Sequence, residues 1–216
     1  MSGTTALGTA AGPVEADIDA SFGDIVDNLE FGVMLAYRGE GDRWAVMFDA
    51  IYMDLGADDS RTAGPIRIDA EVGMQQTALE ADFGRRVTEL TTAFVGLRYI
   101  DISADVEVAR TGPLTAEVRS AGGSESWIDP VIGFTTRIPL SDIWSLDLRG
   151  DIGGFGVGSD FSWQAMATVR WQASNNIHVV GGYRYIDIDF EDGTGTSLFK
   201  YDMAMSGPGL GVAFSF

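Results

Sequence analysis

The side chains of this chain that could do chemistry recur at every second residue of extended segments. They are Arg38, Arg98, Arg137, Arg149, Arg170 and Arg184, with Glu30, Asp49, Glu80, Asp82, Asp129, Asp147 and Asp151 on the same faces. Near-equal numbers of each sign point to interlocked ion pairs, because unpaired charge in a poorly hydrated interior is costly. The ladder either fills an interior or lines a narrow selective pore. Catalysis finds little support. The single histidine, His178, stands beside the predicted turn Ala173 to Asn176, without the Ser-His or acid and base pair that a protease or acyl hydrolase needs. Gly153-Gly154-Phe155-Gly156-Val157-Gly158 looks like a phosphate loop, but Asp160 to Gln172 after it reads as strand rather than helix. Asp187, Asp189, Glu191 and Asp192 could meet a calcium ion, yet Asp192 stands where a calcium loop needs glycine and Leu198 where it needs glutamate. No catalytic residue, metal or cofactor is expected.

Such spacing requires strands. Read at period two, most of the chain divides into segments of roughly 10 to 15 residues with one apolar and one polar face. Trp144, Leu146, Leu148 and Ile152 alternate with Ser145, Asp147, Arg149 and Asp151. Phe161, Trp163, Ala165, Ala167, Val169 and Trp171 alternate with Ser162, Gln164, Met166, Thr168, Arg170 and Gln172. The last strand sets Leu210, Val212, Phe214 and Phe216 opposite Gly209, Gly211, Ala213 and Ser215. With 28 glycines, 11% aromatics and no cysteine in 216 residues, the composition suits one all-β domain over residues 1–216 and excludes a disulfide framework or thiolate metal site. A net charge of −18 with only 14 Lys and Arg argues against a nucleic-acid partner. No run of about 18 apolar residues could form a spanning helix.

Alternation alone would also suit a soluble lipocalin-like barrel with its apolar face inward. The aromatics favour the opposite orientation. Short turns are predicted at Gly39 to Asp42, Gly84 to Val87, Pro139 to Asp142 and Ala173 to Asn176. Tyr37, Trp44, Phe83, Trp144, Trp171 and Phe216 gather at that end, and Tyr52, Tyr99, Trp163, Tyr185 and Tyr201 at the other. Two aromatic girdles flanking Val, Leu and Ala are what membrane interfaces select. Turning the strands over would set six arginines on the lipid face, at about 2 to 4 kcal/mol each near the midplane. The expected fold is a transmembrane, antiparallel, up-and-down β-barrel of about ten strands, or eight if the weak segment 69–83 is misread. Surface loops are expected at Gly56 to Pro65, Asp105 to Ser124, Gly154 to Ser159 and Phe190 to Ser197. Ser2 to Gly8 is the candidate for the tenth strand and is too short to span. The start of that strand, and a signal peptide, are therefore expected ahead of Met1. Residues 1–28 would supply this partial strand and the first surface connection. That connection is a short hairpin over Val14 to Phe22 or a helical turn over Phe22 to Leu29, folded over the mouth or plugging the lumen.

Gly96-Leu97-Arg98-Tyr99-Ile100-Asp101-Ile102 matches Gly182-Tyr183-Arg184-Tyr185-Ile186-Asp187-Ile188 at six of seven positions. The apolar phase slips by one after each copy, which predicts a bulge. Together with Asp24-Ile25-Val26-Asp27-Asn28-Leu29, Arg43-Trp44 followed by Asp49 and Tyr52, Trp127-Ile128-Asp129-Pro130-Val131-Ile132-Gly133, Gly150-Asp151-Ile152-Gly153-Gly154-Phe155-Gly156 and Gly207-Pro208-Gly209-Leu210-Gly211, the chain resembles a family of small proteobacterial outer-membrane β-barrel proteins grouped loosely with OmpA- and OmpW-like barrels. The resemblance covers nearly the whole chain from about Asp24. It implies an integral barrel of the Gram-negative outer membrane and says almost nothing of activity. The resulting expectation is a non-enzymatic, porin-like barrel with a structural or surface-interaction role. A narrow passive pore is the alternative and a soluble ligand-binding barrel the second alternative. Expected partners are outer-membrane lipid, lipopolysaccharide bridged to acidic loops by divalent cations, and the barrel-assembly machinery, engaged through Leu210, Val212, Phe214 and Phe216. Oligomeric state is left open.

Overall fold

The structure is a computed structural model describing residues 1–9, 12–19, 22–63, 66–111 and 116–215. Its strands are β1 (Ser2–Thr9), β2 (Gly12–Asp19), β3 (Leu29–Glu40), β4 (Trp44–Ala63), β5 (Ile66–Arg86), β6 (Thr91–Thr111), β7 (Ala116–Pro139), β8 (Trp144–Gly153), β9 (Phe161–Gln172), β10 (Ile177–Asp192) and β11 (Phe199–Phe214). A short helix, α1 (Phe22–Asp27), precedes β3. All eleven strands form one antiparallel sheet in the order β2-β1-β11-β10-β9-β8-β7-β6-β5-β4-β3. Strand β2 is a short return against β1. The other ten make the curled up-and-down sheet expected of a ten-strand barrel, and since residues 69–83 lie within β5, the eight-strand alternative falls.

The four predicted turns lie at one end, within three residues of their expected bounds. Each is closed by a backbone bond, Gly41 N–H to Trp44 O across three residues, and Val87 to Thr91, Leu140 to Trp144 and Ala173 to Ile177 across four, at 2.8 to 2.9 Å. The other end departs from expectation. Gly56 to Pro65 and Asp105 to Ser124 read as loops because they are polar, but β4 runs to Ala63, β6 to Thr111, and β7 begins at Ala116. Strands β8 and β9 stop at Gly153 and Phe161. The rim is therefore tall over β4 to β7 and low over β8 and β9. Both readings of the first connection are present in succession, β2 as the hairpin and α1 as the helix.

The predicted bulges are absent. The ladders on both sides of β6 and of β10 run without a register shift; among the described residues a shift is found between Leu29 and Phe31. Side-chain parity is thus fixed along each strand. Arg98, Ile100 and Ile102 share the inner face, as do Arg184, Ile186, Ile188 and Phe190. What changes is the chemistry of the faces. Beside the turns the outside is apolar and the inside charged; towards the loops the inside is apolar. On three outward-moving strands the change is marked by an outer Tyr whose hydroxyl donates to an Asp two residues on: Tyr52 to Asp54 (3.4 Å), Tyr99 to Asp101 (3.2 Å) and Tyr185 to Asp187 (3.1 Å).

Parity also corrects one girdle assignment. Leu210 is outward, so Tyr201 falls on the inner face with Met203, and it is 3% exposed instead of facing outward. Phe216 lies outside the described residues. Just beyond the boundary, Asp189 and Asp202 are directly opposed across β10 and β11. Partial burial raises the Asp189 carboxyl above the usual carboxylate range, and Asp202 and Asp160 raise it further. Asp202→Asn is expected to stabilise the folded protein by about 0.2 to 1 kcal/mol at neutral pH, read from thermal or urea unfolding. The folded state binds the Asp189 proton more tightly than the unfolded chain. Wild-type stability should therefore rise as pH falls through the raised pKa, and the advantage of the variant should shrink over that window and level off below the ordinary Asp value of 3.8.

Candidate functional site

Among the described residues, the charged side chains singled out by the sequence converge on the inner face of the curled sheet. All ten predicted lumen residues point inward. At the centre Arg98, 1% exposed, donates to Glu80 (2.7 Å) and to Asp151 (2.5 Å). Arg149 pairs with Glu80, with Asp82 at 3.1 Å and with Asp151 at 3.0 Å, and its guanidinium lies 4.5 Å from the centre of the Phe94 ring. The network then crosses the interior. Gln164 Nε2 donates to Asp151 (2.9 Å), Arg184 donates to Gln164 Oε1 (2.6 Å), and Arg184 reaches Asp49 on β4 at 2.8 Å.

A second cluster lies nearer the turns, where Asp147 accepts from Arg137 at 2.7 Å and from Arg170 at 3.2 Å. Arg38 pairs with Glu40 and donates to Thr92 and Thr135, both at 3.3 Å. Asp129 stands apart from the arginines. It is fully buried and accepts from the Ser159 amide and hydroxyl, each at 2.7 Å, and from the Ser162 hydroxyl at 3.3 Å. The β8–β9 connection is thereby fastened to β7.

Above the charged layer sits an apolar one that sequence reasoning did not identify. Ile100, Ile102, Trp127, Ile188, Phe190, Tyr201 and Met203, each no more than 7% exposed, form one cluster. The Trp127 and Phe190 rings stack at 4.0 Å, joining the β7 wall to the β10 wall, and Tyr201 meets Trp127 at 6.2 Å. The signal was the phase change after the repeated Gly-x-Arg-Tyr-Ile-Asp-Ile segment, which brings isoleucines onto the face that carried arginine. Ser159 was missed as well, since its partner is thirty residues away in sequence and only the folded loop brings them together.

The chemistry available is that of a buried ion-pair network with some valences left open. Buried Arg98 Nη1, Asp82 Oδ1, Gln76 Oε1 and Trp127 Nε1 make no hydrogen bond to protein. Among the described residues no group of three or more His, Asp or Glu side chains could hold a metal ion. His178 meets Ser215 at 3.0 Å, but both are near the surface at the turn end, away from the charged core. Removing one member of a buried ion network strands its partners, so Arg98→Ala should cost about 3 to 5 kcal/mol, measured as a lower urea midpoint for unfolding. Arg137→Ala, in the more exposed cluster, should cost about 1 kcal/mol or less. Comparison with protein-family models, with curated proteins and with solved structures returns no match, so the chain's own geometry is what carries a functional reading.

Proposed function

We propose that this protein is an integral β-barrel of the Gram-negative outer membrane, with a sealed lumen and a structural or surface-interaction role. The observation that carries this reading is the outer face. Leu35, Phe48, Leu79, Leu97, Ile128, Ile132 and Val169 are 40 to 66% exposed around the strands, far more apolar surface than a water-soluble monomer displays. Aromatic side chains bound this belt at both ends. Trp44 stacks on Phe83 at 5.0 Å and Trp144 on Trp171 at 6.1 Å beside the turns, and Trp163 stacks on Tyr185 at 4.7 Å beside the loops. Tyr37 completes the first row, and Tyr52 and Tyr99 the second. A soluble ligand-binding barrel would carry its apolar face inside.

The interior supports a structural role over a pore. The charged layer is spanned from Arg184 on β10 to Asp49 on β4, and a buried apolar cluster of β6, β7, β10 and β11 lies above it. Outer-membrane lipid contacts the belt in this reading. Lipopolysaccharide would meet the acidic side chains just beyond it through divalent cations, and the assembly machinery would engage the terminal strand at Leu210, Val212 and Phe214.

Ala167→Arg places a cation in the middle of the belt. It should destabilise the protein refolded in bilayers by about 2 to 4 kcal/mol, whereas a barrel that folds in water would barely register it. In planar bilayers the inserted, heat-modifiable protein should give no single-channel steps. Discrete steps that change with Arg149→Ala would replace the sealed barrel by a narrow pore.

A further inference from the structure

The connection between β8 and β9 differs in chemistry from its surroundings. Just beyond the outer tyrosines, β4, β6 and β10 carry Asp54, Asp101 and Asp187, whereas Gly153 to Gly158 holds no charged side chain. Its tip is apolar and open, with Phe155 51% and Val157 74% exposed.

The tip is also held firmly. Gly154 N–H donates to Pro130 O at 3.1 Å, and Val157 N–H to Gly154 O and Gly156 N–H to Ser159 O at 3.0 Å each. Ser159 is fastened to Asp129, and a Cβ on Gly158 would stand 2.5 Å from Ile128 O on β7. Phe155 has a φ of +54°, a left-handed backbone that bulky side chains rarely adopt. The fold thus keeps an apolar residue exposed and in a strained conformation, and strain of this kind gathers where a surface binds something.

The height of the tip says what it meets. Strand β8 has 10 residues, about 33 Å at ~3.3 Å each, and a tilt of about 40° turns that length into a rise of about 25 Å, the height of the apolar band of an outer-membrane barrel. Ile152, the last outward residue of β8, stands opposite the girdle residue Trp163. The connection therefore leaves the sheet at the upper border of the belt. Exposed apolar positions continue along the chain from Ile152 through Phe155 and Val157 to Phe161.

We propose that the Phe155–Val157 tip is a membrane-contacting wedge, which seats both side chains among the uppermost acyl carbons of the leaflet on the loop side. Its partner is the lipid surface. On this side the barrel ends in the headgroups and grips them, while β4 to β7 pass through into water. The inference rests on the membrane reading and adds to it a contact outside the strands.

A chain without cysteine allows a single thiol to carry an environment-sensitive nitrobenzoxadiazole label. Val157→Cys is compared with Leu79→Cys in the belt and Ser120→Cys on the tall wall. Each full chain is refolded into phosphatidylcholine vesicles, with doxyl-labelled acyl chains or with iodide in the water. The label at position 157 should be quenched at least about twofold by the doxyl lipid and hardly by iodide, since side chains seated at this boundary lie about 5 to 10 Å into it. The label at position 79 should also meet lipid, and that at position 120 only iodide. Iodide quenching at 157 beside lipid quenching at 79 would overturn the wedge and leave the membrane reading standing; a label at 79 that meets no lipid would end both. Shielding of position 157 from both quenchers would mean that protein covers the tip, and the proposal would fall. Phe155→Asp separates the native tip from its label, because Asp accepts the left-handed backbone more readily and its charge is costly in the acyl region. With the label kept at position 157, this variant should lose the lipid quenching. Unchanged quenching would show that the label and not the tip enters the lipid, which defeats the proposal.

Discussion

Everything in this barrel depends on an unbroken pleat. Successive side chains of a strand point to opposite faces, and only a bulge can change that assignment. Strand β6 has none from end to end, so Arg98, Ile100 and Ile102 must all face inward, and the neighbouring walls must answer them. At the Arg98 level they answer with Glu80 and Asp151, and two residues further with Trp127. The same strand therefore crosses two environments without altering its backbone. Beside the turns an apolar outside encloses a charged inside. Beyond Tyr99 the outside turns to Asp101, and the inside becomes the Ile100, Ile102 and Ile188 cluster.

The charged layer is economical in the way it shares acceptors. A carboxylate offers about four lone-pair sites, and an arginine up to five donors in a fixed fork. Glu80 serves Arg98 and Arg149, and Asp151 serves both and Gln164 as well. Each ion is costly to bury alone, and the cost falls only when its remaining valences are filled. The network accordingly gives little net stability compared with a well-packed apolar core, but it penalises any arrangement in which a wall is missing. Because Arg184 on β10 completes its pairing at Asp49 on β4, the curvature of the whole sheet is written into one ion pair.

Most of this was legible in the sequence where one strand carries its own evidence. Period-two alternation placed all ten lumen residues on the inner face, and the polar breaks placed the four turns. Tyr201 failed because it was assigned by its level and not by its face. Counting back by twos from Leu210, an outward residue, reaches even numbers only, so the position of Tyr201 could have been read from the terminal alternation. The bulges failed for the opposite reason. A phase slip in the apolar residues predicts a slip in the backbone, and in the structure it marks a change of environment instead. The polar stretches of β4 to β7 predict loops because hydrophilic sequence signals exposure, and a two-stranded ribbon in water is exposed whether or not it is regular. The Asp129 to Ser159 contact lay beyond reach, since no local pattern encodes it.

That contact explains why the rim is uneven. Gly154, Phe155 and Gly156 follow one another with φ of +84°, +54° and +70°, a left-handed run that no strand can continue. Strand β8 must end at Gly153, and the chain turns back so that Ser159 meets Asp129. A phenylalanine in this conformation is disfavoured by about 1 to 3 kcal/mol, and the buried Asp129 carboxylate supplies the fixed point that over-determines it. On the tall side the described residues carry no such left-handed run, and β4 to β7 continue outward. There Asp58, Glu71 and Glu107 stand directly opposite one another across three strands. Like charges in register are tolerated only where water screens them, so this row marks strands that have left the apolar belt. The low rim is thus fixed by a buried carboxylate, and the tall wall ends the belt with exposed ones.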